Sequence, residues 1–143
     1  MRRFLFDTGI FIYAVGSEHP YRQPCQAILR ELQAGRLAGE VSIELIHEFA
    51  YVRARRDSRA IAAHLARRIE RSCPLHEVDL ADIELALNLW CEHERLGMRD
   101  ALFAAQALNR GIDAILSADK GYDGISGLER VDPADAEAVA TLK

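Results

Sequence analysis

Residues 3–15 read Arg3-Phe4-Leu5-Phe6-Asp7-Thr8-Gly9-Ile10-Phe11-Ile12-Tyr13-Ala14-Val15, and the fold turns on how that stretch divides. Three apolar side chains stop at a carboxylate, the pattern of a short buried strand whose last residue reaches an open edge. Residues 8–15 suit a helix opening directly after it. A buried strand running into a helix is the first half of a crossover unit.

The alternation recurs downstream. Residues 16–20 are loop-forming, and residues 21–33 carry Cys25, Ile28, Leu29 and Leu32 at helical spacing. Gly35 and Gly39 bracket a break before a short strand at 41–43 and a helix from about Glu44. Residues 53–71 predict a further helical stretch with Ile61, Leu65 and Ile69 four apart, ended by Pro74. A third strand is expected at 75–78. Asp79 then caps a helix that turns Ile83, Leu87 and Trp90 toward the core. An Ala-rich helix over 100–109, a strand over 113–116, a loop over 117–121, a strand near 128–131 and a helix after Pro133 complete the order. The expectation is one α/β domain over 1–143, a mostly parallel sheet covered by helices.

Composition limits the function. About half of the 143 residues are hydrophobic and 28% are charged, as in a soluble protein with a core. The net charge of −4 argues against phosphate binding by bulk attraction. Nucleic-acid chemistry must then rest on local charge, or on a cation that reverses the sign of an acidic pocket. Cys25, Cys73 and Cys91 form no CxxC pair, and the apolar run after Arg2-Arg3 is broken at once by Asp7. Buried thiols, a cytoplasmic location and no membrane association are expected.

Asp7 ends the first strand and Asp119 follows the fourth, so both should reach one rim of the sheet. Asp100 opens the helix leading into that strand, and Glu48 lies in the helix after the second, with Glu44 one turn earlier as its rival. Each alone reads as a cap, a turn former or a solvated helix acid. Together they would repel one another unless a hard cation joined them. Such a set favours hydrolysis of a phosphate ester.

The chain resembles the PIN-domain family, and within it the VapC-like toxins of bacterial toxin–antitoxin pairs. Residues 4–14, Phe4-Leu5-Phe6-Asp7-Thr8-Gly9-Ile10-Phe11-Ile12-Tyr13-Ala14, are similar to the family's opening strand. Ser42-Ile43-Glu44-Leu45-Ile46-His47-Glu48-Phe49 resembles its second acidic motif, with the Glu at 48. Arg99-Asp100-Ala101-Leu102-Phe103-Ala104-Ala105 resembles the third, and Ser117-Ala118-Asp119-Lys120-Gly121-Tyr122 the closing one. Ser117 stands where Thr is usual and Tyr122 where Phe is usual; Asp123 competes with Asp119 for the fourth acidic role. The resemblance implies a PIN-like three-layer α/β/α fold with a central, mostly parallel sheet of about four or five strands, and Mg²⁺- or Mn²⁺-dependent endonucleolytic cleavage of RNA. Asp7, Glu48 and Asp100 would hold the metal, Asp119 would be a direct or water-mediated ligand, and Thr8 or Ser117 would orient water or a phosphate oxygen. It further implies a VapB-like antitoxin partner and a homodimer; a PIN-like module that binds RNA or protein without cutting is the alternative.

Between residues 53 and 71 seven arginines face only Asp57 and Glu70. Arg53, Arg55 and Arg56 are candidate phosphate contacts near Glu48, with Arg99 as a separate clamp; the bland alternative is a solvated helix face. Asp7-Thr8-Gly9 also resembles the catalytic turn of aspartic proteases, but that chemistry needs two Asp-bearing halves on a β-rich scaffold. A haloacid-dehalogenase-like enzyme would need a second Asp where Gly9 stands.

Overall fold

The computed structural model describes residues 1–143. The order is β1 (Arg3–Phe6), α1 (Thr8–Val15), α2 (Arg22–Gln33), β2 (Ala38–Ser42), α3 (Ile43–Arg53), α4 (Arg59–Glu70), β3 (Leu75–His76), α5 (Leu80–Glu92), α6 (Met98–Asn109), β4 (Ala114–Leu116), a 3₁₀ turn (Lys120–Tyr122), β5 (Glu129–Val131) and α7 (Ala136–Ala140). All five strands are parallel, in the order β3-β2-β1-β4-β5. The parallel sheet expected from the alternation and the α/β/α layering implied by the resemblance are both present, with α1 to α4 forming one packed group and α5 packed on α6.

β1 lies at the centre, and the chain builds outward from it first toward β2 and later toward β4. That reversal opens a crevice beyond the carboxyl ends of β1 and β4. Phe4, Leu5 and Phe6 are fully buried. The rings of Phe4 and Phe6 meet edge to face with centroids 4.9 Å apart. They lie against Gly39, which pairs with Phe4 in register, and a Cβ there would collide with both rings. Gly39 is thus a strand residue, not the edge of a break.

Several expectations need correction. The second strand starts three residues earlier than expected and ends at Ser42, whose side chain accepts the Glu44 N–H and caps α3. The 53–71 stretch is not one helix. α3 runs through Arg53, and Ser58 caps a new helix by accepting the Ile61 N–H at 3.1 Å, with Ile61 exposed. α5 is rotated from its expected setting. Its buried residues are Asp82, Ala86 and Leu89, whereas Ile83, Leu87 and Trp90 face outward, Trp90 being 47% exposed. Asp82 sets that rotation, because its carboxylate must reach Arg110 at the end of α6. Of the thiols only Cys25 is buried; Cys73 is half-buried and Cys91 exposed.

Candidate active site

Asp7 directly follows β1 and caps α1, so its carboxylate sits at the mouth of the crevice. It is 8% exposed. One oxygen accepts the Thr8 N–H at 2.8 Å and the other accepts the Ser117 hydroxyl at 2.5 Å. Ser117, fully buried just past β4, also accepts the Asp119 N–H at 2.9 Å. A single hydroxyl thus fastens Asp7 to the loop bearing Asp119. That loop is closed by the Gly121 N–H donating to Asp119 at 2.8 Å. A Cβ on Gly121 would come within 2.5 Å of the Arg95 carbonyl oxygen, so only glycine permits this approach.

Asp100 enters from the first turn of α6. Burial pushes its carboxyl above the usual range, and the neighbouring charges of Asp7 and Asp119 push further. Asp7 is raised too, first by burial, against the lowering effect of its hydrogen bonds and with added repulsion from Glu48 and Asp119. Four acids from four separate elements therefore feel one another at one rim. Glu48 reaches it from α3, and its carboxylate is held in an ion pair by Arg99. No three acidic, histidine or cysteine side chains close on one point as a finished metal cage.

One buried hydroxyl at this rim, Thr8 Oγ1, has no hydrogen-bond partner. The Tyr122 hydroxyl, fully buried, faces the Asp100 carboxyl. A stranded buried hydroxyl is costly unless water or a ligand meets it. Hard oxygen donors, mutual repulsion and the unpaired Thr8 hydroxyl together suit a hydrated divalent cation. The residues fit such an ion once Arg99 yields Glu48.

The PIN domain family matches residues 4–128. The chain belongs to the PIN-domain family. Ribonuclease VapC7 of Mycobacterium tuberculosis is 35% identical over 96% of this chain and 97% of the relative. Among solved PIN-fold structures, VapBC2 from Rickettsia felis bound to a promoter DNA fragment superposes with a TM-score of 0.71 at 16% identity, covering 91% of this chain and 98% of that one. VapC20 of Mycobacterium tuberculosis, a toxin cleaving the sarcin–ricin loop, gives 0.65 at 18% identity over 85% and 91%.

Within this PIN frame the remaining candidates separate. Asp123 turns away from the acids and pairs with Arg130 at 2.7 Å. Glu44 engages His47 at 3.2 Å. Arg53 is held by Asp57 at 2.5 Å, and Arg55 lies over the Tyr51 ring while donating to its hydroxyl. Arg56 is exposed and makes no ion pair. Sequence reasoning missed the Arg99–Glu48 pair and the placement of the Tyr122 hydroxyl. The only sequence signal for the latter was a tyrosine where the family's pattern has phenylalanine.

Proposed function

We propose that this protein is a metal-dependent endoribonuclease that hydrolyses RNA phosphodiester bonds as the toxin of a toxin–antitoxin pair. What supports the reading is that Asp7 feels the charges of Glu48 and Asp119, and Asp100 those of Asp7 and Asp119, beyond the ends of β1 and β4. Asp7, Glu48 and Asp100 would hold Mg²⁺ or Mn²⁺, with Asp119 a direct or water-mediated ligand. The ion supplies a Lewis acid that makes water a better nucleophile and offsets charge gathering on the phosphate.

The chain's own groups do the positioning. Ser117 keeps Asp7 and Asp119 in fixed relation. Thr8 Oγ1, unpaired and buried, is free to orient a water or a phosphate oxygen. Arg99 is poised to move from Glu48 to a phosphate, since a guanidinium forks onto either. The test is RNA cleavage by purified protein with and without Mg²⁺ or Mn²⁺. Asp7→Asn and Asp100→Asn are expected to lose about a hundredfold or more, in line with losing a metal-holding group. Wild-type rates in both variants would refute the site.

The partner reading is a VapB-like antitoxin. Its support is an apolar groove of about 490 Å³ between α1, α2 and α4, lined by Phe11, Val15, Leu29, Leu32, Leu65 and Ile69. Homodimerisation is supported by the outward stripe of Leu80, Ile83, Leu87 and Trp90 on α5. No helix is long and apolar enough to cross a membrane.

A further inference from the structure

One cluster of side chains has no part in the site so far described. Tyr13, His19 and Tyr21 form an aromatic group at the end of α1 and the loop after it. The Tyr13 and His19 rings stack with centroids 4.5 Å apart at 27°. His19 and Tyr21 lie 5.9 Å apart at 18°, and Tyr13 and Tyr21 5.3 Å apart at 32°. His19 is exposed, yet its ring is held, because Nδ1 accepts the Tyr21 N–H at 3.1 Å. Tyr21 is held in turn by donating its hydroxyl to Asp132 at 3.0 Å. Next to this group is a cavity of about 180 Å³, lined by Tyr13, Gly16, Ser17, His19, Arg53 and Arg56 among others.

The position of this cavity gives it meaning. α1 leaves the rim at Asp7 and reaches Tyr13 six residues on, a rise of about 9 Å. The Tyr13 ring lies back over Gly9, with Cε2 3.6 Å from where a Cβ would stand, so the aromatic surface begins within a turn of the acids. α3, packed against α1, carries Glu48 at the rim and ends at Arg53 beside the same cavity, and the turn after it brings Arg56 there. Two helices thus lead from the acidic residues to one aromatic, cationic hollow. The separation is on the order of one to two nucleotides along a single strand, with stacking faces for bases and a cation for the backbone. Arg56, without an ion pair, supplies that cation.

We propose that the hollow bounded by Tyr13, His19 and Arg56 is a subsite for an unpaired RNA base next to the scissile phosphate. The base stacks on the His19–Tyr13 surface and Arg56 meets the adjoining phosphate. The proposal rests on the reading of the acidic rim as an RNA-cleaving centre. A stack serving only to pin the loop to α1 would show no preference for bases, and the test turns on that difference.

Binding is measured by fluorescence anisotropy on the full chain carrying Asp100→Asn, which prevents cleavage. The probes are a 12-nucleotide oligo(A) RNA and an abasic 12-mer of the same backbone and charge. Oligo(A) is expected to bind about tenfold tighter than the abasic strand, the size of one good base–aromatic stack. His19→Ala and His19→Leu, the latter refilling the space without an aromatic face, should remove most of that preference, and His19→Phe should retain it. Arg56→Ala should weaken both probes equally and flatten their salt dependence. Retention of the base preference in His19→Ala or His19→Leu, or an equal loss for both probes, overturns the subsite. If neither probe binds before any change at His19, the RNA reading itself fails, and the subsite with it.

Discussion

Tyr122 brings a hydroxyl into a fully buried position facing the Asp100 carboxyl, which it helps to keep charged. Tyr122→Phe should therefore push the Asp100 carboxyl further above its usual range, read as an upward shift of its titration midpoint by NMR in EDTA. An unmoved midpoint would show that the hydroxyl gives Asp100 no support. Asp7 and Asp100 also tie stability to protons. Burial raises both carboxyls above the unfolded aspartate value of about 3.9. Between the unfolded and folded values the native state binds more protons, so stability falls as pH rises through that window. Metal-free protein should melt higher at pH 5 than at pH 7.5, and Mg²⁺ or Mn²⁺ should recover the loss at the higher pH. Melting temperatures unmoved by pH and by ion would contradict this. Asp7 and Asp100 were legible in sequence because each has a local signature, one ending a short apolar strand and one opening an Ala-rich helix. Ser117 was legible only as a hydroxyl of uncertain aim. Its bond to Asp7 spans 110 positions, and no local pattern encodes that.

α5 and α6 show where helical periodicity misleads. Ile83, Leu87 and Trp90 recur at spacings that normally mark a core face. The buried arc instead carries Asp82, whose carboxylate accepts Arg110 at 2.7 and 2.9 Å and Asn109 at 3.0 Å, with small Ala86 allowing α6 to approach. A buried ion pair outranked the larger apolar side chains, and no reading of hydropathy alone would choose that rotation. Asp82 also completes the capping box with Asp79, of which only the Asp79 half was legible beforehand. Asp82→Ala should cost about 3–5 kcal/mol, because it strands Arg110 and removes the acceptor of the Asp79 N–H, while Asp79 still caps the helix. Urea unfolding would report it, and a loss below about 1 kcal/mol would show the pair to be dispensable. The carboxylate is held below its ordinary range by Arg110 and Asn109 against the opposing effect of burial. Its contribution is thus present at neutral pH and disappears only in strong acid, opposite in sign to the rim acids.

At the level of the molecule, the alternation of short apolar runs and helices disclosed the α/β class, and the acids disclosed which rim matters. Strand order was not legible, since strands of two or three residues such as β3 and β4 carry too little pattern to rank their neighbours. The outward stripe on α5 is the surface that should join two copies. Trp90→Glu is expected to convert a dimer to monomers without lowering the melting temperature by more than a few degrees, as light scattering coupled to size exclusion would show. An unchanged mass would place the dimer elsewhere or exclude it. The hydroxyl that ties residue 117 to residue 7 has a consequence for how the chain is made. A ribosome that has released only the first hundred residues holds Asp7 and Glu48 but lacks the strand and loop that complete the rim. Cutting power would then have to wait until residues 114–119 have left the ribosome, so a chain cut short before that point should be inert.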